Sequence, residues 1–434
     1  MSEWADRLLA DVCVTIRAGG TPQADNQSFY GGEIPFVTIE DISSVGRTIE
    51  TTARTLTTAG LNASVAWLVP SDHLLYSMYA TLGKVTRNKV SVATNQAILA
   101  IKPDEKLIAC DLLFYLLQFK ESSVASLSSQ TTQANLSTDK VRKFKLRFPE
   151  SLLEQRRIAE ILSTLDEAIE QTEALIAKHQ QIKAGLMHDL FTRGVTPDGH
   201  LRPTREQAPD LYKESPLGWI PKEWECLTVD QLLAKTACPM RSGPFGSALL
   251  KDELVEEGIP FLGIDNIFAE HFEPTFHRFV SKWKFHKLIR YSVFPRDVII
   301  TIMGTVGRSC VVPENITEAL SSKHLWTMTF NAKQVFPELV CWQLNYARWV
   351  KDRFAHQSQG AVMEAIQSST LRNLKLPVPP IEEQRQILDC YLMSSQRIEA
   401  EEEHLAKLRQ QKHGLMQDLL TGHVRVPEPT DVAV

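Results

Sequence analysis

The chain is written twice. Residues 154–195 align without a gap on residues 383–424, at an offset of 229, with 18 identities in 42 positions. Both copies open on Glu-Gln-Arg (Glu154, Gln155, Arg156; Glu383, Gln384, Arg385) and close on Gly-Leu-Met-x-Asp-Leu (185–190; 414–419). A duplicated segment must find the same fold twice, which removes most architectures before any single residue is weighed. The segment ahead of each copy repeats more loosely. Ile34-Pro35-Phe36 matches Ile259-Pro260-Phe261 at offset 225, Gly19 falls on Gly243 and Gly83-Lys84 on Gly307-Arg308 at 224, and 112–118 falls on 339–345 at 227. The offset drifts as short loop insertions would make it drift. With 434 residues there is room for two or three domains of about 150 residues each. The order is variable domain, similar helix, variable domain, similar helix.

Each 42-residue copy lacks proline and carries apolar residues at heptad spacing, Leu162, Ile169 and Ile176 in the first and Tyr391, Ile398 and Leu405 in the second. This predicts two long helices with a coiled-coil seam. Glu167, Glu170, Glu173, Glu399 and Glu401, Glu402 and Glu403 read as a solvated face. Gly185 and Gly414 predict a kink or a close helix contact. Short β-branched or aromatic runs at 34–39, 97–101, 298–302 and 325–330 read as strands, and 112–119 and 339–349 as buried helices. The fold class is therefore α+β, with two α/β domains in a duplicated arrangement. The expected layout is 1–150 first domain, 151–195 first helix, 196–223 proline-rich linker, 224–380 second domain, 381–422 second helix and 423–434 tail.

Composition excludes several classes. The chain is 43% hydrophobic and 23% charged, as ordinary globular proteins are. Its longest apolar stretch, 112–117, falls far short of the ~20 residues that span a membrane. Glu3 and Asp6 stand where a signal peptide would be basic, so a cytoplasmic location is expected. A net charge of −5 excludes coating of nucleic acid by bulk charge. The seven cysteines (Cys13, Cys110, Cys226, Cys238, Cys310, Cys341, Cys390) never form C-x-x-C and read as reduced thiols. Gly83-Lys84 lacks the upstream glycine and following hydroxyl of a phosphate-cradling loop, and Gly304-Thr305-Val306-Gly307 does not match a dinucleotide-binding loop. No Asn-Pro-Pro-aromatic methyltransferase motif occurs. There is no Glu-x-Lys of the kind that holds a nuclease cation, and the single Asp-x-Lys, at Asp104, follows Pro103 in an expected turn. His271 and His277 lack the spacing of metal ligands, so no metal site is expected.

What remains is a reader without a catalytic kit. Residues 276–308 carry Arg278, Lys282, Lys284, Lys287, Arg290, Arg296 and Arg308 against Asp297 alone, interleaved with Phe276, Trp283, Phe285 and Tyr291. Such a run is a phosphate-seeking face on an acidic protein or, at its plainest, a solvated surface. The first half offers Lys84, Arg87 and Lys89 after Gly83, and a run of Lys140, Arg142, Lys143, Lys145 and Arg147 that reads equally as a lysine-protected edge strand. Polar loops at 128–133 and 356–359 supply Gln130, Gln133, Gln357 and Gln359, whose amides have the geometry to read base edges.

Gly-Gly-Thr-Pro (Gly19, Gly20, Thr21, Pro22), Ile-Pro-Phe (Ile34, Pro35, Phe36), Thr-Asn-Gln (Thr94, Asn95, Gln96) and then Glu-Gln-Arg-x-Ile opening a long helix resemble the pattern of type I restriction-modification specificity subunits. So does the central Ser215-Pro216-Leu217-Gly218-Trp219-Ile220-Pro221, and the resemblance covers nearly the whole chain. It implies two target recognition domains, each reading half of a bipartite double-stranded DNA target, separated by two long antiparallel helices forming a coiled coil. It also implies partners: two modification subunits carrying the methyl-donor site and two motor-nuclease restriction subunits. S-adenosylmethionine, ATP and Mg2+ then belong to those partners, and no cofactor to this chain. The second half has Ser321-Ser322-Lys323-His324 in place of Thr-Asn-Gln, which adds Lys323 to the DNA-binding candidates. Glu154, Gln155, Arg156, Glu383, Gln384 and Arg385 are the candidates for subunit docking. Two other classes stay open at this point: a coiled-coil protein-interaction adaptor, and a single-chain enzyme of unrecognised chemistry.

Overall fold

The computed structural model describes residues 3–121, 123–124, 136–358 and 366–426. The chain forms two compact units, Met1–Lys178 with Glu399–Val434, and His179–Ile398. The division falls inside two long helices, Leu152–Thr192 and Ile381–Thr421. Each unit thus holds one variable domain, the first part of one long helix and the last part of the other.

The first unit is built on a five-stranded sheet in the order Cys13–Ala18, Ile98–Pro103, Leu74–Ser77, Val85–Asn88, Thr48–Ile49. Side chains alternate across a strand, so the apolar run from Ile98 divides between two cores. Leu99 and Ile101, with Leu74 and Tyr76, enter the larger one; Ile98 and Ala100, with Leu75, enter the smaller. The larger core is closed by the helix Cys110–Phe119, by Ile158 and Leu162 of the first long helix and by Met416, Leu419 and Leu420 of the second. Each fully buried leucine there contributes about 1.5–3 kcal/mol. A three-stranded sheet (Arg54–Leu56, Tyr30–Val37, Ala93–Thr94) lies beside it in the chain's topology. Trp4–Leu8 pairs antiparallel with Lys145–Pro149, tying the start of the domain to the strand that feeds the first long helix. In that strand Leu146 and Phe148 are buried while Lys145 and Arg147 are exposed.

The second unit repeats the plan. Met240–Ser242, Leu325–Met328, Val298–Thr301 and Ser309–Val311 form a sheet in the same order as the first four strands above. The parallel pairing of Phe261 with Leu320 repeats that of Phe36 with Ala93, and Glu225–Thr228 with Lys375–Val378 repeats the closing ladder. Val298 and Ile300 face one core, Ile299 and Leu325 another.

The long helices run antiparallel within each unit. In the first, Lys412 meets Asp166 at 2.6 Å and Arg409 meets Glu173 at 2.7 Å. In the second, Lys183 lies 4.3 Å from the Tyr391 ring centre and Arg397 donates to His179 at 3.2 Å. Leu162, Ile176, Ile398 and Leu405 of the seam are buried, and Ile169 and Tyr391 half-buried.

Three expectations change. A Cβ at Gly185 or Gly414 would meet nothing within 4 Å, and both helices run unbroken, so neither glycine makes a kink or a close contact. The helix expected over 339–349 is two, Pro337–Tyr346 and Arg348–Ser358, because Ala347 between them is extended (φ −64°, ψ 125°), with Val350 of the second buried in the same core as Trp342. The proline-rich segment is no loose spacer. It folds as a hairpin, Tyr212–Ser215 with Gly218–Pro221, in which Tyr212 and Ile220 are buried and the Tyr212 hydroxyl donates to the Pro203 carbonyl at 2.6 Å.

Candidate nucleic-acid interface

In the second unit the basic run separates into free and committed cations. Ser281 caps the short helix Lys282–Lys287 by accepting from the Lys284 amide at 3.2 Å. Phe285 and Leu288 turn into a small core with Ile259, Val280 and Leu320, and helical periodicity then leaves Lys282, Trp283 and Lys287 exposed. Trp283 is 64% exposed, with the Lys287 ammonium 3.8 Å from its ring centre. The Arg290 guanidinium lies 4.6 Å from the Tyr291 ring. By contrast Lys284 is held by Glu253 at 2.6 Å, Arg278 by Asp265, and Arg296 by Glu338 at 2.6 Å. Among the described residues, Lys282, Lys287, Arg290 and Arg308 carry no ion pair, so these are the cations left to meet phosphate. Lys284, a candidate from sequence, is committed instead: Glu253 holds its ammonium and only 11% of its side chain is exposed.

The first unit changes its list in the same way. Arg87 bridges Asp72 at 3.0 Å and Asp111 at 3.1 Å, which removes it from the free cations. Lys84 precedes the strand Val85–Asn88 and Lys89 follows it, so the two sit at opposite ends of one strand, Lys84 half-buried and Lys89 exposed. Gln130, Gln133 and Gln359 lie outside the described residues, and Gln357 falls in the helix Arg348–Ser358.

The Glu-Gln pairs proposed for docking face inward. Gln155 accepts from the Ala109 amide at 2.7 Å and donates to the Leu107 and Pro149 carbonyls at 3.1 and 2.8 Å. Gln384 does the same with the Phe336 amide and the Gln334 and Pro379 carbonyls, at 2.9, 2.8 and 2.8 Å. Glu154 is paired with Arg425 at 3.1 Å and Glu383 with Arg202 at 3.0 Å, and all four motif side chains are buried. An amide inside a core is retained only when its hydrogen bonds are met, and these serve to seat each long helix on its own domain. Of the motif, Arg156 and Arg385 are exposed and accessible to a partner.

Two loop features recur in both units that sequence reading did not assign. After Leu74–Ser77 and after Val298–Thr301 the chain makes the same hairpin. The Ser77 hydroxyl donates to the Thr81 carbonyl and the Thr301 hydroxyl to the Thr305 carbonyl. Gly83 and Gly307, at φ +88° and +90°, return their amides to Ser77 and Thr301 at 3.1 and 2.9 Å. Only glycine adopts that backbone without strain, and it delivers Lys84 and Arg308 to the same position. The second feature is the turn after Ala93–Thr94 and after Ala319–Ser321. Asn95 and Ser322 donate to Val37 and Leu262, and their carbonyls accept from Ile98 and Leu325. The exposed Gln96 and the exposed Lys323 are therefore equivalent positions carrying different chemistry. Among the described residues no His, Cys, Asp and Glu gather as a metal site, and no helix is long and apolar enough to cross a membrane.

A family model described as the type I restriction modification DNA specificity domain matches this chain twice, over residues 1–180 and 221–410. Two type I restriction enzyme specificity subunits of Methanocaldococcus jannaschii, MjaX and MjaVIII, are similar to it. MjaX is 26% identical over 334 residues, covering 76% of this chain and 71% of that one; MjaVIII is 23% identical over 361, covering 82% and 80%. The crystal structure of a type I restriction-modification S subunit from M. genitalium shares the fold at a TM-score of 0.54 and 15% identity, covering 99% of this chain and 97% of that one.

Proposed function

Because the chain belongs to the type I restriction-modification DNA specificity family and carries its domain twice, we propose that its two recognition domains each read one half of a bipartite double-stranded DNA target. The specificity subunit role follows from the family; the division of labour rests on one observation. Both units place the same sheet and the same two loops, yet the residues on those loops differ, the half-buried Lys84 against the exposed Arg308 and the exposed Gln96 against the exposed Lys323. A shared scaffold with different loop chemistry is what two readers of unlike half-sequences require, since backbone contacts position a protein and side chains at base edges specify.

In this reading the chain does no chemistry. Two modification subunits bring the methyl-donor site and two restriction subunits the motor-nuclease, with S-adenosylmethionine, ATP and Mg2+ supplied at those subunits. Arg156 and Arg385, each exposed one residue after a buried glutamine, are the docking residues on this chain. The complex works in the cytoplasm. An adaptor without DNA specificity is disfavoured, because the matched family model covers both variable domains as DNA specificity domains.

The test is electrostatic. Replacing Lys282, Lys287 and Arg290 together with glutamine in the assembled complex should lower affinity for target and non-target DNA alike. It should also flatten the log–log salt dependence by roughly two to three, at about 0.9 per neutralised phosphate. Fluorescence anisotropy across salt concentrations measures this. An unchanged slope would make the segment a solvated face. A wild-type complex that binds no duplex would remove the DNA reading itself.

A further inference from the structure

The committed arginine Arg278 and the free Lys323 share a cavity of about 460 Å³ in the second unit. Its polar wall is Lys251, Arg278, Ser322, Lys323 and His324; Leu249, Phe261 and Ile264 are among its apolar walls. The cavity exists because Ile259–Leu262 pairs with Ala319–Ser321 and with Phe279–Val280, which brings three cationic side chains from segments far apart in the chain to one place.

Two polar groups there are unanswered. Ser322 is 6% exposed and its hydroxyl, on the cavity wall, has no hydrogen-bond partner. The Arg278 Nε–H is buried and also without one, although the same guanidinium reaches Asp265. A buried hydroxyl or N–H left unmet is destabilising, and a ligand acceptor removes that cost. Both unanswered groups have a hydrogen to donate, and both sit among positive charges. Asp265 is the carboxylate against Arg278, and Lys251 and Lys323 carry no ion pair among the described residues. Burial, with Lys323 and Arg278 beside it, pushes His324 below the usual histidine range, which favours the neutral ring and marks the cavity as a positive environment.

On the reading that this domain binds DNA, we propose that the cavity is a built seat for one sugar–phosphate unit of the DNA backbone. Ser322 and Arg278 donate to the phosphate oxygens, Lys251 and Lys323 neutralise it, and Phe261 with Ile264 pack on the sugar. At the position equivalent to Lys323 the first unit carries Gln96, whose side chain accepts from the Thr21 hydroxyl. In the second domain, Lys323 supplies to this seat a charge that Gln96 does not supply at the equivalent position.

The assembled complex is tested against target duplexes carrying a single neutral methylphosphonate, moved one position at a time through both half-sites. Wild-type complex should show one position in the second domain's half-site where the substitution costs about tenfold or more. The penalty at that position should shrink in Lys323→Gln and in Ser322→Ala, and by more in Lys323→Gln, which removes a full charge. Ser322→Ala loses no internal hydrogen bond, so its folding is unaffected. Methylation mapping of Lys323→Gln should return the unchanged target sequence. If no position shows a reduced penalty in Lys323→Gln, the seat is wrong while the DNA reading stands. Wild-type complex that binds no duplex would instead overturn that reading. A free-anion site is distinguished by titrating inorganic phosphate alone into the full chain and following the His324 ring resonances: saturation there, with no methylphosphonate position sensitive to Lys323→Gln, overturns the proposal.

Discussion

Replacing Arg241 with methionine is expected to destabilise the second unit by about 3–5 kcal/mol, the range for stranding one member of a buried ion pair. Asp297 is fully buried and Arg241 only 6% exposed. The guanidinium donates to Asp297, to the Ser292 and Cys238 carbonyls and, at 2.9 Å, to the Thr329 hydroxyl. Thr329 in turn donates to Asp297 at 2.6 Å, and the Phe294 amide to the same carboxylate at 2.8 Å. Burial pushes the Asp297 carboxyl up and the Arg241 guanidinium down, and their mutual attraction offsets this. Without Arg241 the carboxylate keeps its burial cost and loses the charge that offsets it. The double variant Arg241→Met, Asp297→Leu should recover part of the loss, because an apolar pair leaves no stranded charge. Denaturant midpoints measure both. A loss below about 1 kcal/mol for Arg241→Met would show that the network contributes little.

The second large effect separates two roles within one motif. Glu383 accepts from the Val195 amide at 3.0 Å and from Arg202 at 3.0 and 3.2 Å, while Arg202 donates to the Arg193 and Val195 carbonyls. Gly194, at φ +67°, passes so close to Glu383 and Trp224 that a Cβ has no room there. The start of the second long helix is thus bolted to the loop that leaves the first. Glu383→Ala should lower stability by about 2–3 kcal/mol, since it removes the buried carboxylate that Arg202 and the Val195 amide donate to and leaves Arg202 only the longer 3.6 Å pairing with the half-exposed Glu223. Arg385→Ala, two residues on and exposed, should leave the denaturation midpoint unchanged while weakening assembly with the modification subunit. Denaturation and size-exclusion chromatography read the two effects separately. Normal stability in Glu383→Ala would mean that the motif is not a structural bolt, and normal assembly in Arg385→Ala would remove the docking assignment.

Most of the fold was legible in the repeat. The apolar runs at 97–101 and 298–302 marked the strands Ile98–Pro103 and Val298–Thr301, and the matching offsets of Gly83 and Gly307 marked a repeated position whose hairpin only the structure supplies. The candidate site was harder, for a physical reason. Whether a cation is free depends on carboxylates far away in sequence: Arg87 meets Asp111, and Lys284 meets Glu253, 31 residues earlier. Local charge counts cannot see such pairs. The repeated Glu-Gln pairs misled in the opposite direction. They stood among the subunit-docking candidates, whereas their buried hydrogen bonds seat each helix on its domain. The proline-rich segment read as a linker, but Tyr212, Ile220 and Arg202 supply the burial that makes it structure rather than tether.

The central claim is that two separable readers share one chain. It is tested most directly by exchanging the first recognition domain, residues 1–150, for that of a related specificity subunit and mapping the methylated sequence made by the reconstituted complex. The account predicts a new hybrid target in which one half-sequence changes and the other is retained. A target whose two halves both change, or neither, would contradict it.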